Sequence, residues 1–270
     1  MNNYRAELKI AKQLAQEAGE IMLKYFNTVA ANPTQKSDRT LVTRADTEIN
    51  SHVIKVLSEK TPAYSIWGEE QSLIIEGSEY TWVCDPVDGT LPFSKALPIS
   101  TFSLALVDSD GRSVVGVIYD PFQDRLFEAV LGGGAYLNGN KVTVSTKADL
   151  DRAFIDDELW INQEEQVDFD DPRDVMGRAG ATVTSMCSVC ITGGLVAMGY
   201  YDAVIFGQGK PEDIAALAVI VPEAGGKVTD LFGNEQRYDT NIKGAIVSNG
   251  YIHEEVCNVI KDINYTSKYM

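Results

Sequence analysis

The stretch Trp82-Val83-Cys84-Asp85-Pro86-Val87-Asp88-Gly89-Thr90 constrains the fold of this chain more than any other. Apolar residues run directly into two carboxylates three positions apart, and Gly-Thr follows. Such a run, bounded by turn residues, reads as a buried strand, and the residues after it read as a helix over 91–97. Where a chain leaves a sheet and enters a helix, free N–H donors and the positive end of the helix dipole face one spot. Asp85 and Asp88 aim oxygens at that spot too. Carboxylates and a bound anion repel each other unless a hard divalent cation lies between them, and Mg²⁺ takes such a set of carboxylates, waters and phosphate oxygens. A tight connection without a ligand stays open at this point, because Asp-Pro and Asp-Gly are common turn dipeptides.

Charge narrows the partners. The 270 residues hold 39 acids and 23 bases, a net charge of −16, which repels polyphosphate backbones and excludes sequence-independent nucleic-acid binding. A small anionic substrate then needs a cation as intermediary. No run approaches the roughly 18–20 apolar residues of a membrane span. The N-terminal segment is charged and helix-periodic, unlike a signal core, so a cytoplasmic protein with no membrane partner is expected. Cysteines at 84, 187, 190 and 257 form no disulfide ladder, and Cys187-Ser188-Val189-Cys190 lacks the second pair or nearby histidine of a zinc site.

Along the chain, helical spacing predicts amphipathic helices over 6–26 and 46–59, with loop over 32–40 between them. From Tyr64 the period changes to that of strands, at 64–70, 79–89, 101–107, 112–120, 125–131, 132–137 and 141–145, joined by Gly- and Asn-rich turns. Residues 1–150 therefore read as a helical layer plus a mainly antiparallel sheet, carrying most of the candidate ligands. The acidic stretch 156–174 reads as surface loop with a helical turn or two. Residues 151–270 then alternate helix (188–199, 212–226, from 251) and strand (201–206, 227–231, 244–250), a second α/β subdomain.

More acids stand at element ends: Asp46 opens a helix, Glu69 and Glu70 close a strand, and Asp213 opens another helix. Each by itself is as well explained by capping or dipole interactions. Gly132-Gly133-Gly134 reads as a hairpin turn in preference to a phosphate cradle, since no Lys-Ser/Thr follows.

Taken together in order and spacing, several segments carry a resemblance: Leu41-Val42-Thr43-Arg44-Ala45-Asp46, Gly68-Glu69-Glu70, Asp85 to Thr90, Gly116-Val117-Ile118-Tyr119-Asp120-Pro121, Gly134-Ala135-Tyr136-Leu137-Asn138-Gly139 and Asp213-Ile214-Ala215-Ala216 with Glu223-Ala224-Gly225-Gly226. Nearly end to end, the chain resembles the inositol monophosphatase family of Mg²⁺-dependent, lithium-sensitive phosphatases. The resemblance implies an α/β (α+β) fold, a sugar-phosphatase-like layered αβαβα sandwich, acting as a homodimer on a small phosphorylated metabolite. It implies two or three Mg²⁺ per site: Glu69, Asp85 and the Val87 carbonyl on one, and Asp85, Asp88 and Asp213 on a second. Thr90 bonded to Asp46, with Glu69, would act on the attacking water, and Gly89 and Thr90 would receive the phosphate. Ser185, Cys187, Ser188, Val189 and Phe206 would meet the alcohol, while Lys36 and Glu70 lean over the site.

The chain also departs from the family. Leu91-Pro92 follows Asp-Gly-Thr where a small hydroxyl residue and asparagine are usual, and proline is tolerated in a first helical turn. Glu212 replaces a tryptophan and is expected to face solvent. Phe206 stands where the inositol-specific branch has an acid, so strict inositol phosphate specificity is not expected. Gly209-Lys210-Pro211-Glu212-Asp213 is nearer the histidinol-phosphate phosphatase branch. Rival substrates are histidinol phosphate, nucleotide 3′-phosphates and sugar bisphosphates; a non-catalytic metal- or phosphate-binding relative is the alternative of another class.

Overall fold

The computed structural model describes residues 4–37, 40–159 and 172–262. Helices α1 (Arg5–Tyr25) and α2 (Arg44–Lys60) come first, separated by a short antiparallel pair, β1 (Thr34–Gln35) and β2 (Leu41–Val42). Helix α1 buries Ala11, Leu14, Ala15, Ala18 and Met22, the three-and-four spacing of one face. A capping box starts α2: Thr43 Oγ1 accepts from the Ala45 N–H, and the Asp46 carboxylate accepts from the Thr43 N–H.

Seven strands form the larger sheet in chain order: β3 (Ser65–Gly68), β4 (Tyr80–Asp88), β5 (Thr101–Asp108), β6 (Ser113–Asp120), β7 (Arg125–Val130), β8 (Gly134–Leu137) and β9 (Asn140–Lys141). Only β3 and β4 run parallel. The short helix α3 (Thr90–Ser94) follows β4 and stops sooner than the sequence pattern implies, because Ala96 takes a left-handed backbone, φ 57°.

The smaller sheet has five strands in the order β11, β10, β12, β14, β13: β10 (Phe154–Glu158), β11 (Thr182–Thr184), β12 (Ala203–Phe206), β13 (Lys227–Thr229) and β14 (Ala245–Ser248). Its helices are α4 (Pro172–Arg178), α5 (Val189–Ala197), α6 (Leu217–Glu223) and α7 (His253–Asp262). The 212–226 segment, expected as one helix, is instead a 3₁₀ turn at Pro211–Asp213 followed by α6, which Pro222 helps to end.

Period-two alternation builds five layers. On the larger sheet Trp82, Cys84, Phe102, Leu104 and Leu106 pack with α1 and α2, while Val83, Ala105 and Val107 pack with α5 and α6. On the smaller sheet Val204 and Val247 meet α5 and α6 from the other side, and Ala203, Ile205 and Ile246 pack outward with Met176, Val256 and Ile260 of α4 and α7. The order is α, β, α, β, α. Fully burying a large apolar side chain contributes about 1.5–3 kcal/mol, so each sheet is stabilised on both faces.

One element reverses the reading from sequence. The start of the 156–174 stretch is not surface loop: Asp156, Asp157 and Glu158 lie in β10 and are buried. Three consecutive acids masked a strand that Phe154-Ile155 begins; residues 160–171 of that stretch lie outside the described residues. Among the described residues no helix is long and apolar enough to cross a membrane, and the four cysteines are free thiols.

Candidate active site

The regularity of β4 fails where its carboxylates sit. Asp85 pairs with Ser103 and Asp88 with Thr101, with a register shift between them, so β4 carries one residue more than β5. Side chains three apart on a regular strand face opposite ways, and the extra residue corrects the parity. Pro86, which has no N–H for the ladder, lies inside this bulge. The 3₁₀ turn Pro211–Asp213 packs on β4 and delivers Asp213 to the same place. Asp85, Asp88 and Asp213 thereby bring oxygens within 4.8 Å of one another.

Neighbouring donors orient these acids. Asp85 Oδ1 accepts from the Val87 N–H at 2.9 Å. Asp88 Oδ2 accepts from Thr101 Oγ1 and the Cys190 N–H, each at 3.1 Å, and from the Ser188 hydroxyl in a very short bond. Three donors on Oδ2 leave Oδ1 with the greater capacity for a cation.

A second acidic group abuts the first: Asp46, Glu69 and Glu70 also lie within 4.8 Å of one another. The Glu69 N–H donates to the Cys84 carbonyl at 3.1 Å, tying the end of β3 to β4. Glu69 Oε1 accepts from Lys36 Nζ at 3.0 Å and from Lys210 Nζ at 3.1 Å, and Lys36 also pairs with Glu70. Thr90 Oγ1 lies 3.2 Å from Asp46 Oδ1 and 3.1 Å from the Val87 carbonyl. Gly89, with φ 81°, makes the turn into α3, and a Cβ there would meet the Cys187 carbonyl and Ser188 Cβ at 3.1 Å each. Pro92 fits the first turn of α3, where the Phe93 N–H still reaches the Gly89 carbonyl at 3.0 Å.

Electrostatics says which kind of ligand these acids suit. Burial, with the charges of Glu69, Asp213 and Asp88, pushes the Asp85 carboxyl well above the usual range. Burial and Glu212 do the same to Asp213. Asp88 rises to about 6 through burial, despite its hydrogen bonds, and Asp46 to about 7 through burial and the charges of Glu69 and Glu70. No Lys or Arg among the described residues forms an ion pair with Asp85, Asp88 or Asp213. Three mutually repelling carboxylates, Asp85 and Asp88 buried and Asp213 half-buried, with only oxygen donors fit a hard divalent cation.

The cleft around them has a volume near 470 Å³. Thr40, Leu41, Leu91, Gln208 and Lys210 line it beside the acids. Lys210 and Gln208 escaped the reading from sequence because nothing local marks a loop residue that a distant strand will face.

The second half holds the remaining candidates unevenly. Ser185 is exposed and Cys187 half-buried, in a loop between β11 and α5; Ser188 is buried on Asp88. Val189 is a core residue whose backbone begins α5. Phe206 corrects an expectation: its side chain is only 3% exposed and packs in the core between the sheets, withdrawn from the cleft. Its strand alternation forces this, since Val204 points the same way. Glu212 corrects another, being 4% exposed where solvent was expected, with burial raising its pKa. The Gly132 and Gly134 amides, at the turn read as a hairpin, hold the Glu223 carboxylate at 2.6 Å each.

The family model described as the inositol monophosphatase family matches residues 3–265. Among similar proteins is a fructose-1,6-bisphosphatase/inositol-1-monophosphatase of Aquifex aeolicus, 29% identical over 97% of both chains. An inositol monophosphatase of Dictyostelium discoideum is 32% identical over 84% of this chain and 86% of its own. The solved structure of a Thermotoga maritima IMPase superposes with a TM-score of 0.83 at 28% identity, covering 97% of this chain and 98% of that one.

Proposed function

The chain belongs to the inositol monophosphatase family of phosphoric monoester hydrolases, and from that premise we propose that it hydrolyses a small phosphate monoester by direct attack of water, with Mg²⁺ as cofactor. In this reading Glu69, Asp85 and the Val87 carbonyl hold one Mg²⁺, and Asp85, Asp88 and Asp213 hold a second. Glu70 is available to a third. Bound Mg²⁺ lowers the pKa of water and offsets charge on the attacking and leaving oxygens.

The chain's own groups do the rest. Thr90, tied to Asp46, orients the attacking water, and the buried Asp46 carboxylate takes its proton. The N–H groups of Gly89 and Thr90 receive the phosphate, and Lys36 balances Glu69 and Glu70 beside it. The two halves, 1–150 and 151–270, act as subdomains that share the cleft. A cytoplasmic homodimer completes the reading; the four free thiols are in keeping with a reducing compartment.

The observation that carries this reading is the meeting of Asp85, Asp88 and Asp213 within 4.8 Å, with no Lys or Arg of the described residues ion-paired to them. For the substrate, inositol phosphates and related sugar or alcohol phosphates come first, with histidinol phosphate and nucleotide 3′-phosphates as rivals. The double name of the Aquifex relative favours a site open to more than one ester. The test is phosphate release from a panel of these esters, ranked by kcat/KM, with and without Mg²⁺. Mg²⁺-dependent release that vanishes in Asp88→Asn supports the reading. No release from any ester by the intact protein favours the non-catalytic alternative.

A further inference from the structure

Glu158, at the end of β10, reaches the loop that joins β11 to α5. Its Oε1 accepts from the Cys187 N–H at 2.5 Å and lies 3.3 Å from the Ser185 hydroxyl. Asp156, two residues earlier on the same face of β10, holds the preceding part of that loop. It accepts from the Thr184 hydroxyl at 2.8 Å and from the Met186 N–H at 3.2 Å. Both acids are buried, Glu158 at 2% exposure, so they face the loop and not the cleft.

The residue they hold is strained. Cys187 has φ 58°, the left-handed region that side chains other than glycine, asparagine and aspartate rarely adopt. A cysteine is here kept in a backbone conformation that glycine adopts without strain. Beyond it the loop reaches the acidic cluster directly: the Ser188 hydroxyl and Cys190 N–H both donate to Asp88 Oδ2. The Cys187 carbonyl also lies against Gly89, next to Asp88 in the chain.

We propose that Glu158 is a positioning residue for the cation site: its carboxyl pins Cys187 in the left-handed conformation and so fixes the Ser188 and Cys190 donors that orient Asp88. The proposal rests on the reading of Asp88 as a cation ligand. Phe206 belongs to the core, and the acid at the same level on the neighbouring strand, Glu158 opposite Phe206 in register, serves the loop instead. Burial and the Asp156 charge raise the Glu158 carboxyl to about 8, so a neutral amide reproduces the form it takes near pH 7.

Four proteins test this: the intact chain, Glu158→Gln, Glu158→Ala, and Glu158→Ala combined with Cys187→Gly. Mn²⁺ affinity is measured by calorimetric titration, and kcat and KM for the best ester of the panel are measured alongside. Glu158→Gln keeps an acceptor for the Cys187 N–H and binds Mn²⁺ within about twofold of the intact chain. Glu158→Ala weakens Mn²⁺ by about tenfold and lowers kcat more than it raises KM. Glycine at 187 takes the left-handed backbone without strain and restores most of the lost affinity. Should Glu158→Ala be insoluble, Glu158→Met, closer in volume, takes its place in both comparisons.

Unchanged Mn²⁺ affinity on removal of the carboxyl overturns the proposal. So does a loss that Cys187→Gly leaves in place, or one that Glu158→Gln shares in full. Failure of the phosphatase reading is distinct: the intact chain would bind Mn²⁺ yet release no phosphate, and the Mn²⁺ comparison would still decide the role of Glu158.

Discussion

The Thr90 hydroxyl lies 3.2 Å from Asp46 Oδ1, joining the first turn of α3 to the first turn of α2. The same Asp46 carboxylate caps α2 through Thr43, whose N–H it accepts at 2.8 Å. One buried acid thus serves the start of a helix and the proposed water-activating pair at once. Asp46→Asn keeps an acceptor toward Thr90 but removes the proton acceptor. Expected is a fall in kcat of about 10²- to 10⁴-fold with KM nearly unchanged, measured by steady-state phosphate release.

The cluster makes the metal-free protein less stable as pH rises. Asp46 and Asp88 move from an ordinary 3.8 to about 7 and about 6 in the folded chain, and burial among like charges also raises Asp85 and Asp213 well above the ordinary value. Between pH 4 and 7 the folded state then holds more protons than the unfolded one, so unfolding free energy falls across that window. Thermal melts in chelator are expected to show Tm several degrees lower at pH 8 than at pH 5. Added Mg²⁺ should raise Tm most at pH 8, where the carboxylates must ionise.

Removing a charge from the cluster separates stability from chemistry. Asp85 is buried among other acids and forms no ion pair with a Lys or Arg among the described residues. Asp85→Asn is expected to stabilise the metal-free protein by about 1–3 kcal/mol in chemical denaturation, since it relieves buried repulsion. It should also abolish Mg²⁺-dependent turnover. A destabilised Asp85→Asn in chelator would count against the electrostatic account.

Phe206 distinguishes a core residue from a pocket residue. Packed between the sheets, it is expected to cost about 3–5 kcal/mol of stability as Phe206→Ala, the usual range for a truncated buried aromatic. The ranking of esters by kcat/KM should stay the same. A changed ranking with intact stability would return Phe206 to the substrate.

Lys210 and Lys36 both donate to Glu69 Oε1 and so compete with a cation for that carboxylate. Replacing Lys210 by methionine keeps the stem and removes one competing charge. Half-maximal activation should then occur at a lower Mg²⁺ concentration, read from activity against free Mg²⁺. An unchanged or higher requirement would mean that Lys210 assists the bound state.

Much of the fold and of the acidic site was legible in the chain itself. Apolar runs around Trp82 and Phe102 marked buried strands, and the three-and-four spacing of Leu14, Ala18 and Met22 marked an amphipathic helix, because burial acts on local periodicity. Asp85, Asp88 and Gly89 could be read as a site because they lie together on one turn. Other features depend on which distant segments meet. The bulge at Pro86 that gives Asp85 and Asp88 a common face comes from pairing with β5, and Lys210 counts only where it reaches Glu69. Glu158 looked like loop in an acidic run and proved to be a strand end under Cys187, since desolvation and hydrogen bonding depend on neighbours in space. Periodicity and turn chemistry are properties of a segment; the orientation and ionisation of a buried acid are properties of the packing around it.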